Sequence, residues 1–331
     1  MRKTLENLLF LGLLAVVLAI FMPLHQAMAE YPEKPLTIVE PWPAGSAGDS
    51  GARILAQLAQ EKFGKPIVVQ NVVGGGGAKA ALFAKKAKSD GYTILNSWVA
   101  NLVMRPIFDS AVGYSRHDFE PIILYQINPF TLVVKADHPA KNLDEFVKWA
   151  KAQSRNLNVG ICAAVGLPRV VMQRFLEIAE IDNYNPVPFP GCETENIKGL
   201  FDGSLDFSTG ALAVEKIYGK LVRTLAIFMD ERSPLAPHIP TAKEQGYDLR
   251  WGVTAAGWSG LVAPPGTPKD RMQKLIDVFG STAQSNEFLK KCSDVGITVK
   301  YLPTGEFRQL WEDSHNRLKP PIERLLRKKK K

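Results

Sequence analysis

The chain has 331 residues, of which 46% are hydrophobic, and its 41 basic and 33 acidic residues give a net charge of +8. That length and apolar content can bury a large core and favour two domains. Part of the positive charge lies in the terminal run Arg327 to Lys331, and no basic stripe interleaved with aromatic residues appears elsewhere, so nucleic acid is not an expected partner.

The first segment is typical of a secretory signal peptide. Arg2 and Lys3 precede an apolar run from Leu8 to Met22, and Ala27-Met28-Ala29 fits the small-x-small cleavage rule. The apolar run is shorter than the roughly 20 residues of a membrane-spanning helix, and no cysteine stands at the cleavage point. We therefore expect residues 1–29 to be removed and the mature protein to be soluble in the periplasm.

Strands and helices alternate along the first part of the mature chain. The predicted elements are a strand Leu36–Val39, a helix to about Phe63, a strand Ile67–Val69, a helix Ala78–Lys88 and a strand Tyr92–Leu95. This alternation implies a parallel sheet with helices on its faces. Periodicity is then lost until two strand-like runs, Pro121–Tyr125 and Phe130–Val134.

A second alternating series follows. Its predicted elements are a helix Leu143–Gln153 capped by Asn142, a strand Leu157–Ile161, a helix after Pro168, a strand Pro186–Phe189, a helix through Ile197 to Phe201, a strand entered at Gly203 to Phe207 and a strand Leu225–Phe228. The run Leu261–Ala263 returns the chain to the first series, where helices Lys269–Ala283 and Thr304–Leu318 are expected to pack.

Two such series predict an α/β fold of two lobes, a clamshell like the type II periplasmic binding proteins, with mixed and mostly parallel sheets and flanking helices. We assign residues 30–128 and 251–331 to lobe 1 and residues 129–250 to lobe 2. A solute is expected to bind between the lobes.

The loop from Pro41 to Asp49, between the first strand and the first helix, is the clearest candidate site. A helix start presents free N–H groups and a positive dipole end, and these favour an anion. The small residues from Ala44 to Gly48 let a ligand approach the backbone, and Asp49 is the expected N-cap. The alternative is an ordinary strand-to-helix connection. The loop Val165 to Arg169 is expected to face it across the cleft.

Catalytic and metal motifs are missing from the sequence. The run Gly74 to Gly77 lacks the flanking residues of a phosphate-binding loop, and the four histidines of the mature chain are scattered. Cys192 lies in no nucleophile signature. Cys162, Cys192 and Cys292 are too few for a disulfide framework, which leaves open one disulfide or three free thiols. We expect a binding protein with no enzymatic activity, no cofactor and no metal.

Some aromatic residues are predicted to contact the ligand, and other aromatic and acidic residues are predicted to have structural roles. We favour ligand contact for Trp42 and Trp98, because both lie at the sheet end where open α/β sheets bind ligands. Trp258 fits hinge packing as well as ligand contact. The pair Asp202 and Asp206 is interpreted as a solvated face or a helix end.

Many short motifs, taken in order, resemble one family along nearly the whole mature chain. They include Tyr31-Pro32-Glu33-Lys34-Pro35, Pro41 to Asp49 with Arg53, Gly64-Lys65-Pro66, Val69-Gln70-Asn71 with the glycine run, Ser89-Asp90-Gly91-Tyr92-Thr93, His117-Asp118-Phe119-Glu120-Pro121, Val187-Pro188-Phe189, Gly203-Ser204-Leu205-Asp206, Arg232-Ser233-Pro234, Ile239-Pro240-Thr241, Trp258-Ser259-Gly260-Leu261 and Ala263-Pro264-Pro265-Gly266-Thr267-Pro268. The chain resembles the solute-receptor proteins of tripartite tricarboxylate transporters, the Bug family.

The resemblance implies an exported monomeric receptor that hands a small carboxylate to the permease subunits of a membrane transporter. It also implies that one carboxylate is held largely by backbone N–H groups and waters of two loops, here Trp42 to Asp49 and Ala163 to Arg169. An exported sensor that reports carboxylate occupancy to a membrane kinase is the alternative. The expected ligand-binding residues are Trp42, Ala44, Gly45, Ser46, Ala47, Asp49, Ser97, Trp98, Ala164, Val165, Gly166, Leu167, Pro168, Arg169 and Gly210.

Three departures from the family pattern affect the expected site. Gly45-Ser46 replaces the usual Gly-Gly, Gly166-Leu167-Pro168-Arg169-Val170 replaces a Gly-Ser-x-x-His pattern, and Gly210 replaces a frequent Asp. Losing an acid and gaining Arg169 makes the cleft more positive. We hypothesise that Arg169 pairs with the second carboxylate of a dianion; the alternative is that it points to solvent.

Overall fold

The computed structural model describes residues 31–162, 166–189 and 193–328. The predicted signal peptide, residues 1–29, lies outside these ranges, as do Ala164, Val165 and Cys192. Within the described ranges, none of the helices combines the length and the apolar character needed to span a membrane. Cys292 is a buried free thiol.

Eleven strands are formed by the described residues. They are β1 (Leu36–Glu40), β2 (Ile67–Asn71), β3 (Thr93–Trp98), β4 (Glu120–Asn128), β5 (Phe130–Lys135), β6 (Leu157–Cys162), β7 (Tyr184–Phe189), β8 (Phe207–Ala211), β9 (Val222–Ile227), β10 (Gly257–Ala263) and β11 (Thr298–Leu302). They make two mixed sheets, one in the order β11-β4-β10-β3-β1-β2 and one in the order β7-β6-β8-β5-β9.

Helices flank both sheets. The α-helices within the described ranges are α1 (Ala47–Phe63), α2 (Ala78–Lys85), α3 (Arg105–Phe108), α4 (Leu143–Lys151), α5 (Leu167–Ile178), α6 (Glu193–Phe201), α7 (Ala213–Tyr218), α8 (Lys269–Ala283), α9 (Asn286–Asp294) and α10 (Thr304–Lys328). The predicted α/β architecture of two sheets with flanking helices is therefore present. The assignment of residues to lobes at 128/129 and 250/251 stays a prediction.

The two sheets are joined where their parallel strands end. In the first sheet β1 and β3 are parallel, and β3 and β4 both run antiparallel to β10, so the end of β4 lies at the edge where β1 ends. In the second sheet β5 runs antiparallel to β8, and its first residue Phe130 pairs with Ala211, the last of β8. The strand ends that precede α1 and α5 therefore both border the crossover between the sheets.

Several predicted boundaries differ from the structure. The second helix ends at Lys85 and not at Lys88, and the last helix continues from Leu318 to Lys328. The continuation passes through Pro320 and Pro321, which interrupt its backbone hydrogen bonds. Leu318 and Ile322 are fully buried on either side of the prolines, so packing holds this helix together where local propensity does not.

For two residues, Asp206 and Trp258, the structure differs from the sequence interpretation or decides between its alternatives. Asp206 is only partly exposed, and its carboxylate accepts hydrogen bonds from the guanidinium of Arg155 and from the backbone N–H of Asn158. Trp258 lies inside β10, is fully buried, and donates its indole N–H to Ser314 at 3.0 Å. Trp258 is therefore a core residue that ties α10 to the central strand of the first sheet.

Candidate functional site

The loop before α1 is capped differently from the sequence prediction. Ser46, not Asp49, is the N-cap of α1, and its hydroxyl accepts a hydrogen bond from the N–H of Asp49 at 3.3 Å. Serine has the short oxygen-bearing side chain that an N-cap requires, and Asp49 stands one turn further on. Ser46, which departs from the family pattern, thus caps the N-terminus of α1.

Asp49 fixes the shape of the loop. One carboxylate oxygen accepts from the backbone N–H of Gly45 and from Nε of Arg53, each at 2.9 Å, and the other accepts from Nδ2 of Asn71 at 2.8 Å. Asn71 also donates to the carbonyl of Trp42 at 2.8 Å. Burial alone would raise the pKa of Asp49, but these hydrogen bonds outweigh it and hold the pKa below its ordinary value.

Two amides at this helix start remain available. Ala47 and Gly48 are the first two residues of α1, and their N–H groups have no hydrogen-bond acceptor among the described residues. Ala47 is exposed while Gly48 is buried, so the pair runs from the surface inward. Because Asp49 is already committed to Gly45, Arg53 and Asn71, its charge is balanced locally. An anion can therefore meet the two amides at the positive end of α1.

The end of β3 adds an indole N–H to the same place. Trp98, the last residue of β3, is 8% exposed, and its indole N–H has no acceptor within the described part of the chain. A β-carbon on Gly48 would lie 3.0 Å from that indole nitrogen, so the unpaired N–H is beside the free amide. The hydroxyl of Ser97, the preceding residue of the strand, is also buried with no described partner, but consecutive strand residues point to opposite faces of the sheet.

A buried polar network lies under the loop, and sequence analysis missed it. Glu40, the last residue of β1, is fully buried; one of its oxygens accepts the N–H of Trp42 at 3.2 Å and the other contacts the amide of Asn96. The hydroxyls of Tyr125 and Ser259 reach the other atom of that amide at 3.0 and 2.9 Å. Burial raises the pKa of Glu40 to about 8.

A charged residue at the end of an apolar strand was the available signal for Glu40. It went unused because the strand was predicted to end at Val39. Asn96, Tyr125 and Ser259 come from three different strands, and no local pattern relates them to Glu40.

The glycine run packs against this site. Gly77 has a φ of +85°, and a β-carbon there would lie 2.6 Å from the β-carbon of Asn101 and 3.3 Å from that of Pro41. Asn101 accepts the backbone N–H of Trp98 at 2.7 Å. Close approach of the backbone explains Gly77, and this contact supports the strand end that carries Trp98.

The start of α5 offers a second, sparser set of donors. Gly166 is its N-cap and makes no side-chain capping bond, and Pro168 removes one N–H from the first turn. Arg169 is partly buried; burial lowers the pKa of Arg169, and the nearby phenol of Tyr184 opposes that effect. Of the predicted residues in this loop, the structure describes Gly166, Leu167, Pro168 and Arg169.

Gly210 lies inside β8 and has no free space for a side chain. Its carbonyl accepts the hydroxyl of Thr131 at 3.0 Å. A β-carbon at Gly210 would lie 3.0 Å from Val133 and 3.2 Å from both Thr131 and Val214. An aspartate in this position would displace those neighbours, so the loss of the family's acid fits the packing of this sheet.

Side chains suited to holding a metal do not cluster in the described ranges. The structure thus brings together Trp42, Ser46, Ala47, Asp49 and Trp98 around one helix start. A direct role in ligand binding remains a prediction for each predicted site residue.

Comparison with known proteins gives the same family along most of the chain. The family described as "Tripartite tricarboxylate transporter family receptor" matches residues 51–326. The "UPF0065 protein in gbd 5'region" of Cupriavidus necator is 28% identical and the match covers 92% of this chain and 91% of that protein. Protein BugT of Bordetella pertussis is 27% identical, with 81% of this chain and 82% of BugT covered.

Solved structures agree with the fold. MatC of Rhodopseudomonas palustris, solved with bound malate, superposes with a TM-score of 0.70 at 25% identity, covering 88% of this chain and 100% of that one. A second R. palustris protein, solved with adipate, gives a TM-score of 0.72 at 23% identity, covering 89% and 98% of the two chains.

Proposed function

The chain belongs to the tripartite tricarboxylate transporter receptor family, a family of periplasmic solute-binding receptors and not of enzymes, and we propose that it captures a small organic carboxylate between its two lobes. The two-lobed α/β fold predicted from sequence is confirmed by its solved relatives. In this proposal the predicted signal peptide, residues 1–29, directs the chain to the periplasm.

One observation carries the proposal. The N–H groups of Ala47 and Gly48 at the start of α1 have no acceptor among the described residues, and the indole nitrogen of Trp98, which also has none there, lies 3.0 Å from the place of a β-carbon on Gly48. Three N–H donors and a positive dipole end match the two oxygens of a carboxylate, which accepts several hydrogen bonds at once. Asp49 stabilises the loop by accepting a hydrogen bond from the backbone N–H of Gly45.

In this proposal the second lobe contacts the other end of the solute. The first turn of α5 borders the crossover between the sheets, and Arg169 lies on that turn. MatC holds malate, which is a dicarboxylate, as is the adipate in the second solved relative. We assign the second carboxylate of a dianion to Arg169. Contacts made only when the lobes close around the solute would stabilise the closed form.

Delivery to a membrane permease completes the proposal. Membership of a transporter receptor family supports this step, because a receptor that closes on its solute gives a permease a distinct surface to recognise. We expect the receptor to act as a monomer. Uptake of the bound acid by cells with and without this receptor measures the step directly.

A thermal-shift screen of small carboxylates, followed by calorimetry, tests the binding function. A solute at 100 times its dissociation constant is expected to add roughly 2.7 kcal/mol of stability. Trp98→Phe should weaken binding of the best acid about tenfold or more, since a hydrogen bond to a charged group contributes roughly 1.5–3 kcal/mol.

Trp311→Phe is the matched control, because Trp311 lies on α10 and is also buried, with an indole N–H that has no acceptor within the described ranges. It should leave the affinity unchanged. Failure of every carboxylate to stabilise the protein would contradict the proposed function.

A further inference from the structure

The buried carboxyl of Glu40 has no role in the function described so far. Glu40 is fully buried at the end of β1, and its Oε1 lies 2.8 Å from the place a β-carbon on Gly48 would take. It is therefore beside the amide that we assign to the solute. A carboxylate charge at that point would repel an anion bound to Gly48, while a neutral carboxylic acid would not.

The hydrogen-bond partners of Glu40 are compatible with a neutral acid. Oε2 of Glu40 lies 2.5 Å from Nδ2 of Asn96, which donates to it as the amide is placed. The hydroxyls of Tyr125 and Ser259, which contact Oδ1 of Asn96, can either donate or accept, so an Asn96 amide turned by 180° would keep these hydrogen bonds. With the amide oxygen turned to Glu40, the acid donates to it and the amide nitrogen donates to the two hydroxyls.

The charges around Glu40 also favour the neutral form. Arg53 and Asp49 on α1 are the charged groups that act on it, and Arg53 is already hydrogen-bonded to Asp49 and Asn71. Tyr125 on β4 is the other titratable group in contact through Asn96, and burial raises the pKa of its phenol well above the ordinary value. Arg53 thus faces two carboxyls and pairs directly with Asp49, so it offsets a charge on Glu40 only in part.

We propose that Glu40 is a further residue of the solute site, held as a neutral carboxylic acid whose ionisation weakens anion binding at the start of α1. The proposal rests on the proposed carboxylate site. Neutral Glu40 orients the loop through the N–H of Trp42 and keeps negative charge away from Gly48. Above the pH at which Glu40 ionises, tight binding of a solute requires the proton to be restored, so binding takes up a proton from solution.

The experiment measures both the proton and the affinity, with malate as the probe because its carboxylates stay ionised between pH 6.5 and pH 9.5. Carbon-13 NMR of glutamate-labelled protein follows the Glu40 Cδ, identified by its absence in Glu40→Gln. The resonance should titrate above pH 7 without malate and at higher pH with saturating malate. Calorimetry should show malate affinity falling about tenfold per pH unit above that midpoint.

Glu40→Gln keeps both hydrogen bonds of the neutral acid and should bind malate with the same affinity at pH 6.5 and pH 9.5. Glu61→Gln, an exposed position on α1, should retain the pH dependence of the unmodified protein. Glu40 titrating near pH 4.5, or malate affinity independent of pH in the unmodified protein, would overturn this inference alone. Absence of malate binding at every pH would overturn it too and would also count against the proposed site.

Discussion

The α-carbon of Gly48 packs directly against the indole of Trp98: a β-carbon on Gly48 would lie 2.9 Å from Cζ2 and 3.0 Å from Nε1 of that ring. This contact joins the first turn of α1 to the end of β3, two elements that meet only through the fold. It brings the backbone N–H of Gly48 close to the indole N–H of Trp98, and neither group has an acceptor among the residues that the structure describes. Binding should therefore depend on glycine at position 48.

Gly48→Ala should abolish or greatly weaken carboxylate binding, because the added methyl group displaces Trp98 or Glu40. We expect a loss of about 1–3 kcal/mol in the free energy of unfolding, typical of overpacking. Calorimetry with the best acid and urea denaturation measure the two effects. Gly305→Ala is the control, since a β-carbon there meets nothing within 4 Å. Unchanged affinity in Gly48→Ala would contradict the site geometry.

Asp49→Ala should destabilise the first loop, because it leaves Gly45, Arg53 and Asn71 without their acceptor. The expected loss is about 1–3 kcal/mol in the free energy of unfolding, together with weaker solute binding. The pKa of Asp49 is lowered in the folded protein, so its contribution is present above the ordinary pKa and is lost as the pH falls through the folded value.

Urea denaturation between pH 7 and pH 3 checks this prediction. The difference between the unmodified protein and Asp49→Ala should shrink as the pH falls. Asp294→Ala removes an exposed ion pair with Lys290 and should change stability by less than about 0.5 kcal/mol. Equal losses in the two variants would show that Asp49 does not organise the loop.

Glu40→Gln should remove a pH dependence of stability even without solute. The pKa of Glu40 is raised from 4.5 to about 8 on folding, so the folded protein binds more protons than the unfolded chain between those values. The contribution of Glu40 to the free energy of unfolding is fully present below pH 4.5. It falls as the pH rises to about 8, by ~1.4 kcal/mol per pH unit. Urea denaturation at pH 5 to 8 should show this slope in the unmodified protein relative to Glu40→Gln. Parallel profiles would exclude a buried neutral acid.

Arg169→Gln should discriminate between solutes with one and two carboxylates. Loss of a charge-assisted pair is expected to weaken malate binding about tenfold or more, while 2-hydroxybutyrate, which lacks the second carboxylate, should be unaffected. Calorimetry with both solutes measures how much the substitution changes each affinity. Arg174→Gln on the same helix is the control, since Arg174 pairs with Glu177. Equal weakening of both solutes would assign Arg169 a structural role instead.

Sequence patterns predicted the elements whose residues repeat at a regular spacing. Lys269–Ala283 was predicted to the residue, because an amphipathic run follows Pro268. The short edge strand Thr298–Leu302 was missed, since its pairing with β4 is irregular and its sequence carries no continuous apolar run. The last ten residues of α10 were missed because burial of Leu318 and Ile322 overrides the two prolines.

The candidate site was predictable only where it is local in sequence. The small residues before α1 gave the helix start, but which of Ser46 and Asp49 caps the helix depends on side-chain geometry. Glu40, Asn96 and Ser259 meet because three strands pair in one sheet, and such long-range contacts leave no spacing to detect. The buried hydrogen-bond network under the loop could therefore be identified only from the three-dimensional structure.

A crystal structure of the protein with malate, or with the acid that gives the largest thermal shift, tests the central claim most directly. One carboxylate should lie within about 2.7–3.2 Å of the amide nitrogens of Ala47 and Gly48, with the indole nitrogen of Trp98 in the same range. A tightly bound acid whose carboxylates all lie away from the start of α1 would contradict the account.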